Sequence, residues 1–268
     1  MFVGYLRNSF EEELSAIIES DKLFDLELLK QTYEVYPEYC FAAYDEGKIV
    51  GVISAYAFSK HIFINVINVL DEHKEVLTRL IKLLVQNVSS MNIYVLVEDK
   101  LNSYFTAFKF QEHSKFLRYM HSGEAVAFNF SNSTAKQVSG ENYVEISKEI
   151  DKKVFWDDRE EYIKKDCVFS NSLKLSTTSG FMHSYVVNKR YIRISPWLMQ
   201  NESYLDAEKL LRGVLYYRGL KKIFAFIPKD IKEISELYES YKFKKDANFT
   251  LLYLGEKPEI KLENLYAI

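Results

Sequence analysis

Gly51-Val52-Ile53-Ser54-Ala55-Tyr56, reaching Lys60, is echoed by Gly180-Phe181-Met182-His183-Ser184-Tyr185, reaching Lys189. A second phrase repeats in the same order. Phe108-Lys109-Phe110, followed by Phe116 and Gly123-Glu124, is echoed by Tyr241-Lys242-Phe243, followed by Phe249 and Gly255-Glu256. The first pair is offset by 129 residues and the second by 133. A period near 130 residues is far longer than a solenoid repeat and reads as a duplicated domain. Each motif must then be sought twice and compared between copies.

Around the first phrase the hydrophobic period is that of strands. Cys40 to Tyr44 runs through Asp45-Glu46-Gly47-Lys48 into Ile49 to Ile53, the pattern of a hairpin with an acidic-Gly turn. Upstream, Leu14, Ile17, Ile18 and the stretch Leu23–Leu29 recur at helical spacing. Downstream come a strand at Phe63–Leu70, a helix at Val76–Val88, a strand at Ile93–Val97, a helix at Tyr104–Phe108 and a strand from Phe116. The polar, turn-rich stretch 131–140 reads as a linker between domains at 1–130 and 141–268. Beyond it the order resumes: strands at Gly180–Val187 and Tyr191–Ser195, a helix at Leu205–Tyr217, a strand at Lys222–Ile227, a helix at Ile231–Tyr241 and a strand at Phe249–Leu254. Each copy is thus an α/β (α+β) unit: a mixed, mostly antiparallel sheet flanked by helices, with one strand-helix-strand crossover supplying a parallel pair.

Composition bounds the function. The 268 residues are 48% hydrophobic with only 9 Gly and 4 Pro, enough for packed cores. A net charge of −3 gives no electrostatic reason to expect nucleic acid or an acidic membrane as partner. There is no signal-peptide pattern ahead of Glu11-Glu12-Glu13 and no apolar run near the ~20 residues that span a bilayer, so a soluble, cytoplasmic protein is expected. Cys40 and Cys167 fall one in each copy and read as buried thiols of a reducing compartment, with one long-range disulfide as the alternative. The five histidines show no metal spacing.

The element order, found twice, resembles the GNAT superfamily of acyl-CoA-dependent N-acyltransferases in tandem arrangement. The resemblance rests on the Phe41–Ile53 hairpin and on the helix ends Phe105–Phe110 and Tyr238–Phe243, where the family usually writes Tyr-x-x-x-Gly-Phe. It rests also on the closing strand Leu251-Leu252-Tyr253-Leu254-Gly255-Glu256, with Arg118-Tyr119-Met120 before Gly123 as its counterpart. It implies that each fourth strand parts from the fifth at a bulge, where backbone groups meet the pantetheine arm of acetyl-CoA. It also implies a pyrophosphate seated at the start of the next helix, where unpaired N–H groups and the dipole suit an anion. The acceptor would be an amine of a small molecule or peptide.

Both copies depart from the family's Gly-rich turn. In the first, Asp71-Glu72-His73-Lys74-Glu75-Val76 has no Gly and three acids. In the second, Gln200-Asn201-Glu202-Ser203-Tyr204 keeps a Gln and, three residues on, a small residue, with Ser203 and Asp206 as a start for the helix. The resemblance therefore offers the second copy for donor binding, on Ile194, Pro196, Leu198, Gln200, Ser203 and Tyr204, with the first copy or neither copy as the alternatives. Tyr238 is the matching proton donor to the departing thiolate, and core packing is its alternative reading. The first copy has Phe105 at that register with Tyr104 adjacent. Its own candidates are Asn65, Asn68, Val69 and Val76. Asn65 and Asn68 share a face only if a bulge separates them; otherwise they satisfy backbone groups near a strand end. No general base is identified. Asp157-Asp158-Arg159-Glu160-Glu161 reads as a solvated helix face, although its Trp156-Asp157-x-Arg159 context resembles a helix that borders the cleft in some tandem members. Two functions follow: an acyl-CoA-dependent N-acyltransferase, or a binding or regulatory protein of the same fold without catalysis.

Overall fold

The computed structural model describes residues 1–88, 92–131 and 138–268, so most of the expected linker at 131–140 lies outside the described residues. The chain divides into two compact units, Met1–Ser114 with Thr250–Pro258, and Lys115–Phe249 with Glu259–Ile268.

Unit 1 begins with β1 (Phe2–Tyr5) and three short helices, α1 (Phe10–Glu13), α2 (Ser15–Ser20) and α3 (Leu26–Val35). The Asp25 carboxylate starts α3 by accepting the Leu28 N–H at 3.2 Å, a side-chain cap for an otherwise unpaired donor. The hairpin forms as β2 (Cys40–Asp45) and β3 (Lys48–Ala57). Glu46 and Gly47 take φ of 48° and 79° between the paired Asp45 and Lys48, a two-residue turn whose twist matches the strands. Then come β4 (Ile62–Val69), α4 (Val76–Asn87), β5 (Ile93–Glu98), α5 (Asn102–Thr106) and the start of β6 (Gln111–His121). Val76, Leu77, Leu80, Ile81 and Leu84 recur at helical spacing and are the buried face of α4. The sheet order in this unit is β1-β2-β3-β4-β5, with β4 and β5 parallel and the earlier neighbours antiparallel.

Unit 2 contains α6 (Tyr143–Phe155), β7 (Leu173–Thr177), β8 (Gly180–Val186), β9 (Tyr191–Met199), α7 (Tyr204–Arg218), β10 (Lys222–Pro228) and α8 (Lys232–Ser240). They are followed by β11 (Lys244–Leu254), whose last residues belong to unit 1, and β12 (Leu265–Ala267). Its sheet runs β6-β10-β9-β8-β7, with β9 and β10 parallel and β12 set on β9. Trp197, Leu210, Leu211, Val214, Ile223, Leu237 and Tyr238 are among the residues of its core. The mixed sheets and crossovers agree with the sequence. The short strands β1, β7 and β12 were not legible there.

Candidate functional site

In unit 1, β4 and β5 pair over only three steps, Ile62↔Ile93, Phe63↔Tyr94 and Ile64↔Val95, and then part. At the point of parting the β3–β4 register jumps from Ala55↔Ile64 to Ser54↔Val66, leaving Asn65 as an extra residue. This bulge decides where the two asparagines point. In a regular strand residues three apart face opposite ways. Here the Asn65 amide donates to Thr32 Oγ1 of α3 at 2.7 Å, and the Asn68 amide donates to Asp21 Oδ2, in the loop before α3, at 2.7 Å. Both therefore face the helices. Ser54 Oγ donates to Asn65 Oδ1 at 2.9 Å and fixes the bulge from β3. The strand ends in a turn, Asp71–His73, leading to α4. There Lys74 pairs with Asp71 at 2.9 Å and holds its carboxyl below the usual range, while His73 and Glu75 lie 3.9 Å apart.

Unit 2 repeats this construction with different residues. β9 and β10 pair at Tyr191↔Lys222, Ile192↔Ile223 and Arg193↔Phe224 before parting. The β8–β9 register jumps from Ser184↔Ile194 to Met182↔Trp197, so Ser195 and Pro196, joined by a cis bond, stand opposite His183. His183 is fully buried between the Ser195 carbonyl at 2.6 Å and Ser172 Oγ at 2.7 Å. Burial pushes its pKa down to about 4, which keeps the ring neutral. Ser54 and His183 occupy the same position in the repeated phrase, and each grips the bulge of its neighbouring strand.

No family model and no curated protein matches the chain. Solved structures do. A proposed acetyltransferase from Pyrococcus horikoshii superposes with a TM-score of 0.74 at 24% identity, covering 100% of this chain and 93% of that one. A tandem GNAT protein from the clavulanic acid biosynthesis pathway gives 0.60 at 9% identity, covering 96% and 98%. A GCN5-related N-acetyltransferase from Sphaerobacter thermophilus gives 0.55 at 10% identity, covering 100% and 98%. The fold is that of tandem GNAT proteins.

Within this GNAT fold the expected donor-site residues fall as follows. Ile194 and Leu198 are fully buried and Pro196 is buried, whereas Gln200 and Tyr204 are exposed on the turn into α7. Ser203 was expected to cap α7 as an acceptor. Its hydroxyl instead donates to the Gln200 carbonyl, and the helix begins without a side-chain cap. Glu202 bends the turn with φ of 58°. Tyr238 is fully buried against Trp197 and Phe243, and its hydroxyl donates to the Tyr266 carbonyl at 3.1 Å.

The parting in unit 2 also contains β12. Leu265 and Ala267 pair with Leu198 and Trp197 of β9, and the Ile268 N–H donates to the Phe226 carbonyl of β10 at 3.1 Å. In unit 1, among the described residues, no strand in the sheet order stands between β4 and β5. There Val76 is fully buried at the start of α4, Val69 is half-buried at the end of β4, Phe105 is fully buried and Tyr104 is half-buried beside it. Sequence reasoning missed Asp21. Nothing in its immediate sequence marks it, because its place beside β4 is made by a contact 47 residues away.

The Asp157–Glu161 run is a solvated helix face only in part: Asp158 and Glu161 are exposed and Glu160-Glu161 are helical, but two of its residues turn inward. Asp157 and Arg159 are 4% and 5% exposed, in the loop after α6. The Arg159 guanidinium lies 3.6 Å from the Phe155 ring centroid, and its Nε is 3.4 Å from Asp151 Oδ1. The reason is charge compensation: a carboxylate on the buried face of α6 draws the arginine inward. Burial still dominates at Asp151 and raises its pKa to about 6. Cys40 and Cys167 are free, buried thiols, with Cys167 pushed up to about 12 by burial. Among the described residues no group of His, Cys, Asp and Glu could hold a metal, and no helix is long and apolar enough to cross a membrane.

Proposed function

We propose that the chain is an acyl-CoA-dependent N-acyltransferase whose donor groove is the parting of β4 and β5 in unit 1, acting on an amine of a small molecule or peptide. The observation that carries this reading is the Asn65 bulge at a parting in which, among the described residues, no strand stands. Parted strands leave backbone donors and acceptors that must find partners, and the amides of a pantetheine arm are suitable ones. Val66 to Val69 would line the arm. The glycine-free turn offers Lys74 to the pyrophosphate, with the competing Asp71 already paired to it.

Asp21 is the base this geometry favours. It is half-buried, and Asn68 and the Leu23 N–H, at 2.7 and 2.9 Å, hold its carboxylate beside β4. Tyr104 on α5, half-buried, is the acid candidate. Tyr238 has the matching register in unit 2, yet its hydroxyl is committed to Tyr266. A second reading, a binding protein without catalysis, is favoured by the acids around α4, since Glu72 and Glu75 repel a phosphate.

Titration calorimetry with acetyl-CoA separates the two. Micromolar binding, weakened at least about tenfold by Lys74→Glu and left unchanged by Ser203→Glu, is expected. No binding at millimolar acetyl-CoA would sink the transferase reading.

A further inference from the structure

The segment Leu265–Ile268 adds a further strand, β12, to the five-stranded sheet β6-β10-β9-β8-β7 of unit 2. We infer that the β9–β10 parting of unit 2 is a peptide-strand site, filled by Leu265–Ile268 of the chain itself, and not a thioester-donor site. This inference does not rest on the donor groove assigned to unit 1.

Four observations place the segment as a ligand would be placed. It is bonded on both sides: Leu265 and Ala267 are paired to β9, and the Ile268 N–H is bonded to Phe226 of β10. All four side chains are buried, with Leu265, Tyr266, Ala267 and Ile268 exposed by 0%, 6%, 0% and 4%. It is anchored at its start, where the Asn264 amide donates to the Met199 carbonyl at 2.8 Å and to Asn201 Oδ1 at 2.6 Å. It is recognised along its length, since Tyr238 donates to the Tyr266 carbonyl at 3.1 Å and the Tyr266 ring lies 5.1 Å from that of Trp197.

Such a site combines main-chain hydrogen bonds with pockets for side chains, the terms by which a sheet edge recognises an added strand. A pantetheine arm has two amides and, besides a pair of methyls and a hydroxyl at one end, no side groups, so it would fill the buried pockets of Leu265, Tyr266 and Ile268 poorly. A tethered strand is moreover present at an effective concentration of millimolar order or above, against which any separate ligand must compete. The ligand class is therefore an extended peptide with apolar side chains and a small residue at the position of Ala267.

The test uses the full chain. Amide hydrogen exchange over residues 262–268 is expected to be slow and unchanged by about millimolar acetyl-CoA. Faster exchange there on adding acetyl-CoA would overturn the inference, because the donor would then displace the segment. In Ala267→Asp, which puts a charge into the buried slot, exchange over 262–268 should rise at least about tenfold. The synthetic peptide Leu-Glu-Asn-Leu-Tyr-Ala-Ile should then bind the variant and not the wild type. If Ala267→Asp does not fold, Asn264→Ala loosens the anchor without adding a charge, and the same two readouts apply. Unchanged exchange in the folded variant, no peptide binding, or one additional acetyl-CoA bound per chain would each overturn the inference. A wild type that binds no acetyl-CoA would count against the unit 1 donor groove alone, since the exchange and peptide readouts stand without it.

Discussion

Tyr238 and Tyr266 are joined by a hydrogen bond from the Tyr238 hydroxyl to the Tyr266 main-chain carbonyl, 3.1 Å long and inside the core of unit 2. Burial also raises the Tyr238 phenol well above its ordinary pKa, so it stays protonated throughout the accessible range. Replacing it with Phe leaves a buried carbonyl without that donor, which costs about 1–3 kcal/mol. Urea unfolding of Tyr238→Phe should show this loss, with acetyl-CoA affinity unchanged. A stable variant with weakened donor binding would return Tyr238 to the list of site residues.

The repeated glycines are tied to the ends of the fourth strands. Gly51 pairs with Val69, and a Cβ there would lie 3.0 Å from Val76 Cγ2 and 3.1 Å from Leu80 Cδ1 of α4. Gly180 pairs with Met199, and a Cβ there would come within 2.3 Å of Met199 Sδ and 2.7 Å of the Leu198 carbonyl oxygen. Gly180→Ala should cost about 1–3 kcal/mol through overpacking. Gly51→Ala should cost less, because the atoms it meets are the ends of side chains. Paired urea titrations check both the sign and the order.

This is why the fold was legible. The Gly-x-x-x-x-Tyr phrase marks the place where a strand passes under the helix start or beside the strand end, and that need recurs in each copy. The Lys-Phe phrase has a backbone cause too: Lys109 and Lys242 take φ of 68° and 65°, left-handed positions where the family usually writes Gly. Gly123 and Gly255, at 83° and 82°, complete the echo. The site was less legible for physical reasons. The Asn65 bulge is a register shift, which alternation alone does not reveal. The seat of Leu265–Ile268 depends on Trp197, Phe226 and Tyr238, all distant in sequence, and a four-residue apolar run carries no periodicity that foretells its docking.

Lys109 is exposed at its left-handed position, so replacing it with Gly relieves strain without removing core packing. A non-glycine residue there costs roughly 1–2 kcal/mol, part of which glycine returns through the greater entropy of its unfolded chain. A net gain of about 0.5–1 kcal/mol is expected for Lys109→Gly. Thermal unfolding measures it, and a destabilised variant would show that the lysine side chain supplies more than its backbone strain removes.

His183 makes stability depend on pH. Its folded pKa, about 4, lies below the ordinary value near 6.5, so between these limits the unfolded chain binds the extra proton. Its contribution is therefore fully present above about pH 6.5 and is lost as pH falls toward 4. Asp151 acts in the opposite sense. Its folded pKa of about 6 is raised above the usual carboxylate value, so its contribution is lost as pH rises from about 4 to 6. The wild-type profile mixes the two. The stability difference between wild type and His183→Asn isolates the histidine and should shrink as pH falls from 7 to about 4. A gap independent of pH would mean that the ring titrates in the fold as it does in the unfolded chain.

Asp21 gives the chemistry of unit 1 its sharpest test. Its carboxylate is held by the Asn68 amide at 2.7 Å, and Asn68 owes its direction to the Asn65 bulge in the strand proposed to bind the donor. If Asp21 takes the proton of the attacking amine, Asp21→Asn should leave acetyl-CoA affinity within about twofold. It should lower kcat with a free acceptor amine by 10²–10⁴-fold, the usual contribution of a general base. Asn68→Ala frees the carboxylate without removing it, so a smaller fall in kcat and a changed pH–rate profile are expected. Equal losses in donor affinity and kcat for Asp21→Asn would instead mean that Asp21 shapes the loop before α3 and does not act on the amine.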